Sequence, residues 1–98
     1  MRHARFDVAT LAVEDVPVPL KAAYLLVAAT DDGVDPQWEC IAYALDPTPL
    51  QQRRYRVRIV ALDGRELSGD AALVRSVDGA HVLRGAGPLA GIDPGELA

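Results

Sequence analysis

Three arginines alternate with apolar residues in the stretch RRYRVRIVALDG, residues 53–64, and no other side chains in this sequence are better suited to binding. Because side chains two positions apart share one face of a β-strand, Arg54, Arg56 and Arg58 should form a line with a spacing of about 6.6 Å. We call these three residues the arginine row. Guanidinium groups bind carboxylates and phosphates through paired hydrogen bonds. The row therefore predicts a surface for an acidic protein partner or a small anionic ligand. The competing interpretation is a solvated sheet face, neutralised by acids such as Asp70.

Aromatic residues concentrate in a second stretch, PQWECIAYALDP, residues 36–47. Trp38 and Tyr43 are five positions apart, so on a strand they point to opposite faces. We expect one of them in the core and the other on the surface. Because protein interfaces are enriched in Trp, Tyr and Arg, both join the arginine row as candidate binding residues.

The remaining reactive residue types do not predict an enzyme. Ser76, Asp78 and His81 lie within one predicted hairpin. Residues around one tight turn seldom place an imidazole between a hydroxyl and a carboxylate, as a catalytic triad requires. Cys40 is the single cysteine, so it forms neither an intrachain disulfide nor a cysteine-based zinc site, and we expect it to be a small buried residue. We predict no metal, no cofactor and no catalytic activity.

Composition and charge exclude further classes of function. The 98 residues are 50% hydrophobic and 24% charged, which is typical of one globular domain spanning residues 1–98. The formal net charge is −4, with three basic and eight acidic residues in positions 1–50 and seven basic and six acidic residues in positions 51–98. A nucleic-acid binder usually has a basic face or domain. One basic strand in an acidic chain therefore argues against binding to nucleic acid or to an anionic membrane.

The sequence predicts a cytoplasmic protein. The N-terminal stretch lacks the apolar core of a signal peptide, because Asp7 interrupts it. The longest apolar run, residues 22–29, is far shorter than the roughly 20 residues of a membrane helix. Nine arginines against one lysine, with abundant alanine and glycine, indicate a high-GC bacterium as the source.

Turn signals and alternation predict an all-β fold. Asp-Gly pairs at 32–33, 63–64 and 78–79 are typical of hairpin turns. The apolar stretches around them predict strands at 5–13, 22–30, 37–45, 53–62, 71–77 and 80–84. We predict a single antiparallel barrel or small sandwich of about six strands. The alternative is an α+β fold with residues 20–29 helical, because alanine and leucine also favour a helix there.

The hairpin around Asp63-Gly64 makes a testable register prediction. A two-residue turn continued without irregularity would place Val57 opposite Asp70 and the arginines opposite apolar residues. One extra residue corrects this mismatch. We therefore predict a β-bulge at Ser68-Gly69 and a cross-strand ion pair between Arg58 and Asp70.

These observations predict a non-catalytic protein-interaction module, an accessory or adaptor domain that uses the arginine row. Its partner would be another protein or a second copy of the chain. The alternative is a β-barrel that binds a small anionic ligand of the nucleotide type.

Overall fold

The computed structural model describes residues 2–29 and 35–92 and contains no helix within them. Its seven strands, in chain order, are β1 (Arg2–Val13), β2 (Val16–Pro17), β3 (Leu20–Ala29), β4 (Gln37–Ala44), β5 (Arg54–Ala61), β6 (Glu66–Val77) and β7 (Ala80–Gly85). The predicted all-β fold is confirmed, and residues 20–29 form a strand. Accordingly, no helix in the described part of the chain is long and apolar enough to cross a membrane.

Six of the strands close into one antiparallel barrel. The strands follow the order β1-β3-β4-β7-β6-β5, and β5 pairs back onto β1. β1 closes the barrel because its two halves pair with different strands. Residues 2–7 pair with β3, and residues 8–13 pair with β5. A bulge between Val8 and Thr10 separates the two halves. The short β2 pairs only with the end of β1 and is an addition to the barrel.

Alternation of apolar and polar residues decides which side chains enter the barrel. On β5, Tyr55, Val57 and Ile59 are buried, whereas the arginine row points outward. The same period of two buries Leu25 and Val27 on β3. The core consists mainly of Val, Leu, Ile and Ala from all six barrel strands, as the low aromatic content of the sequence requires.

The predicted bulge at Ser68-Gly69 is wrong. Seven consecutive residue pairs join β5 and β6 without a shift, and Val57 faces Gly69. The extra residue lies instead in the turn, which has three residues rather than two. Gly64 takes a φ of 90° there and donates its amide to the carbonyl of Ala61 at 2.9 Å. Glycine readily adopts this left-handed conformation, which three-residue hairpin loops require.

The changed register also alters the predicted ion pair. Asp70 faces Arg56 instead of Arg58, and their side chains approach to 3.4 Å. Polarity nevertheless predicted correctly which β5 side chains point into the barrel, because apolar residues face apolar residues in both the predicted and the observed register.

Two further turns have left-handed residues at both central positions. The predicted Asp78-Gly79 turn has φ angles of 53° and 85° and joins Val77 to Ala80, as a two-residue type I′ hairpin does. A second such turn, Glu14-Asp15, with φ angles of 50° and 64°, joins β1 to β2. The sequence did not predict that hairpin because the turn contains no glycine or asparagine. The Asp32-Gly33 turn lies outside the described residues.

Trp38 fills one end of the barrel. Its side chain is 3% exposed, and its indole Nε1 donates a hydrogen bond to the carbonyl of Gly87 at 2.9 Å. Gly69 and Gly85 leave room for the ring, because a β-carbon at either position would overlap with it. The chain after β7 then crosses this end of the barrel, where Ala90 and Ser68 exchange two backbone hydrogen bonds.

Candidate functional site

The arginine row is exposed on β5, and other groups of the protein already contact it. Arg56 lies 3.4 Å from Asp70 and 3.4 Å from the hydroxyl of Ser68. Arg58 lies 3.6 Å from Asp15. Arg54 donates a hydrogen bond to the carbonyl of Ala86 at 2.9 Å. Each guanidinium of the row thus has a partner within the chain.

The β1–β2 turn supplies one of these partners, Asp15, and a second acid beside the row. Glu14 and Asp15 extend from the turn beside β5, and Glu14 lies 3.3 Å from Arg53. The amide of Glu14 also donates to the carbonyl of Arg56 at 2.8 Å, which fixes the turn against the strand. Exposed ion pairs of this kind contribute only about 0–1 kcal/mol each to stability, but they reduce the net charge that a ligand meets.

The hollow beside the arginine row is poorly suited to a phosphate. A cavity of about 340 Å³ lies between Arg54 and Arg56, and the carboxylates of Glu14 and Asp70 also line it. Because an anion would meet two negative groups there, the local charge opposes its binding. The geometry therefore favours the interpretation of the row as a solvated sheet face. Binding of a small anionic ligand stays an untested prediction.

The structure separates the two aromatic candidates from each other and from the arginine row. Trp38 is buried and offers almost no exposed surface, although it is among the residues that line a groove along β3. Tyr43 is 43% exposed on the outside of β4. In the six-stranded ring, β4 lies three strands from β5 in either direction, so the two strands are on opposite sides of the barrel. Tyr43 and the arginine row therefore do not belong to one surface.

Tyr43 belongs instead to a group of large apolar side chains on the outside of β3, β4, β7 and β6. We call this group the apolar face, and it consists of Tyr24, Ile41, Tyr43, Val74, Val77 and Val82. Cross-strand pairing joins Tyr24, Ile41 and Val82 in one row, which ends at Arg75 on β6. In the next row, Tyr43 and Val77 both face Ala80. Tyr24 and Tyr43 pack edge to face with ring centroids 6.5 Å apart.

Three members of the apolar face are substantially exposed. Tyr43, Val74 and Val77 retain 43%, 41% and 48% of their full accessibility. Part of the signal for this surface was present in the sequence, because the stretch at 20–30 has few polar positions on either strand face. That pattern is typical of a strand that is covered on both sides. The barrel covers only one of them.

A groove extends the apolar face along β3. It has a volume of about 420 Å³, and Leu26 and Ala28 lie between polar side chains of the neighbouring strands. We call it the β3 groove and define it by His3, Arg5, Leu26, Ala28, Glu39 and Arg84. The sequence did not single out these residues, because they come from four strands that are adjacent only after folding.

Ser76 and His81 do meet, but in a structural arrangement. The Ser76 hydroxyl and His81 Nδ1 are 2.8 Å apart, and the amide of Leu50 donates to the same hydroxyl at 2.9 Å. Asp78 forms part of the turn, and the carboxylate whose charge acts on His81 is Asp46. Because the hydroxyl anchors the β4–β5 loop, this cluster serves to hold that loop on the barrel.

His81 makes the stability of the protein depend on pH. Burial lowers the pKa of His81 below its ordinary value of 6.5, and the nearby Asp46 opposes this shift. The unfolded chain therefore takes up this proton at a higher pH than the folded protein does. Stability is complete above the unfolded pKa and decreases as the pH falls through it.

We expect the melting temperature to fall between about pH 7.5 and about pH 5.5, and to fall less in a His81→Gln variant. Thermal unfolding followed by circular dichroism at both pH values measures the difference. Equal decreases in the two proteins would contradict a contribution from His81.

Cys40 has the character expected of a core residue. It is fully buried, and burial raises the pKa of its thiol to about 12. A thiol in this state is not a nucleophile at neutral pH. Among the described residues, no group of His, Cys, Asp and Glu side chains is arranged to hold a metal ion.

Comparison with protein-family models, with curated proteins and with solved structures finds no significant match. The proposed function therefore rests on the surfaces of this structure alone.

Proposed function

We propose that this chain is a non-catalytic protein-interaction module, an accessory or adaptor domain, that docks through its apolar face. The observation that carries the proposal is a group of six large apolar side chains, three of them exposed, on the outside of a barrel whose opposite side is charged. Exposed apolar patches mark interaction sites in soluble proteins. The two tyrosines add the residue type that interfaces favour.

The arginine row is the weaker candidate for the docking surface. Asp15 and Asp70 neutralise two of its guanidinium groups, and the third donates to a backbone carbonyl. The same contacts weigh against the alternative function of binding a small anionic ligand. A cytoplasmic location is part of the proposal and accords with the single buried thiol of Cys40.

A pair of serine substitutions on the apolar face tests the proposed function. Tyr43→Ser and Val77→Ser remove two exposed apolar side chains from the outside of the barrel, so we expect the fold to survive with a modest loss of stability. The tagged variant and wild-type chains are used as baits in lysate of the source organism. We expect a stoichiometric protein partner on the wild type, with recovery at least about tenfold lower on the double variant.

The matched control is the triple variant Arg54→Ala, Arg56→Ala and Arg58→Ala on the opposite side of the barrel. It should retain the partner. Loss of the partner from the triple variant alone would transfer the docking surface to the arginine row. A wild-type bait that recovers no partner would refute the interaction function.

A further inference from the structure

The β3 groove combines an apolar floor with two arginines and one glutamate in one cross-strand row. Arg5 on β1 faces Leu26 on β3, Leu26 faces Glu39 on β4, and Glu39 faces Arg84 on β7. Neighbouring strands are about 4.8 Å apart, so the two arginines stand about three strand spacings apart. An apolar side chain placed on Leu26 would lie beside Arg5 on one side and Glu39 on the other, with Arg84 one strand beyond Glu39.

These two guanidinium groups retain donors for a ligand. Arg5 stacks over the Tyr24 ring at 4.4 Å and lies 3.8 Å from Asp7, beyond hydrogen-bond distance. Arg84 approaches Glu39 only to 3.9 Å. Within the described residues, neither side chain makes a hydrogen bond. Arg54 on the other side of the barrel, in contrast, donates to a carbonyl at 2.9 Å.

The β3 groove has a small positive charge although the whole chain is acidic. The charged side chains that line it are Arg5, Glu39 and Arg84, a net charge of +1. The formal charge of the chain is −4. Because the Debye length is about 8 Å at physiological ionic strength, acids on the far side of the barrel are screened from a ligand here.

From this combination we infer that the β3 groove receives an acidic segment of a partner protein, with an aliphatic side chain on Leu26 and carboxylates on Arg5 and Arg84. The aliphatic side chain fits the apolar floor, and each guanidinium presents the planar donor pair that matches a carboxylate. This inference rests on the proposed function, because it specifies the chemistry of the partner that the adjoining apolar face would bind.

A second copy of the chain is the less suitable occupant. Face-to-face association of two identical copies would bring two grooves of positive net charge together, which costs energy. An acidic surface elsewhere on a second copy would give a head-to-tail contact, and such contacts produce rings or open filaments. A separate acidic partner avoids both problems.

Selection of random dodecapeptides displayed on phage tests the inference with a defined probe. The baits are the wild type, the double variant Arg5→Glu and Arg84→Glu, and the matched variant Arg54→Glu and Arg58→Glu, which has the same change in charge. All four side chains are exposed, so circular dichroism should confirm that both variants fold. Synthetic versions of the enriched peptides are then titrated against the three proteins and against the Tyr43→Ser, Val77→Ser protein.

We expect enriched peptides in which Asp or Glu residues flank an aliphatic residue. Their dissociation constants should rise at least about tenfold on the Arg5, Arg84 variant and stay unchanged on the Arg54, Arg58 variant. Peptides without an acidic excess that still require Tyr43 would overturn the inference and leave the proposed function intact. The inference would also be overturned if the wild type enriches no peptides beyond those that an unrelated bait protein enriches. The same holds if the wild type self-associates in sedimentation equilibrium and the Arg5, Arg84 variant does not.

Discussion

Replacement of Trp38 by alanine is expected to lower the free energy of unfolding by about 3–5 kcal/mol, the usual cost of removing a buried tryptophan. The indole is 3% exposed and fills the end of the barrel, so its removal leaves a cavity lined by β6 and β7. The variant also loses the hydrogen bond from Nε1 to the carbonyl of Gly87. That carbonyl belongs to the segment that crosses the end of the barrel.

Urea unfolding followed by far-ultraviolet circular dichroism measures this loss. The matched control is Tyr43→Ala, since Tyr43 lies on the same strand and is 43% exposed. We expect the control to cost about 1–2 kcal/mol, including its edge-to-face contact with Tyr24. Equal losses in the two variants would show that Trp38 does not fill the core as described.

Replacement of Gly85 by alanine is expected to cost about 1–3 kcal/mol, the usual range for overpacking a core. A β-carbon at this position would overlap with Nε1, Cδ1 and Cε2 of the Trp38 indole. The ring has little room to move, because a β-carbon on Gly69 would also lie only 2.8 Å from its Cζ2 atom. The clash therefore requires a shift of the backbone or loss of the indole hydrogen bond.

Gly87→Ala is the control, because a β-carbon there has no heavy atom within 4 Å. Chemical denaturation of both variants should show a clear loss for Gly85→Ala and little change for the control. Combining Gly85→Ala with Trp38→Ala gives a second check. If the indole causes the clash, the double variant should lose less stability than the two single losses together.

The sequence predicted the six barrel strands because burial along most of them follows a period of two, but it missed β2 and began β6 five residues late. On β5 the alternation of arginines with Tyr55, Val57 and Ile59 identified both faces of the strand. The register between β5 and β6 was harder to predict. One extra residue brings apolar residues opposite apolar residues whether it lies in the turn or within the strand. Asp63-Gly64 is compatible with loops of two or three residues, and polarity alone did not distinguish them.

The candidate site was only partly predictable, because it depends on the order of strands around the barrel. β4 and β5 are consecutive in the chain, yet they lie on opposite sides of the barrel. Tyr43 and Arg54, which are eleven positions apart in the sequence, therefore belong to different surfaces. The β3 groove shows the converse case, since Arg5 and Arg84 come from the first and last strands and share one row.

The division of β1 between two neighbours also affects how the barrel closes as the chain is synthesised. Residues 2–7 pair with β3, so both partners of this half lie within the first 29 residues of the chain. The other half waits longer, because Val8 pairs with Ala61 and Val13 pairs with Val57. The ring also needs β7, the last strand in the chain, between β4 and β6, so the barrel is complete only when nearly all of the described chain takes part.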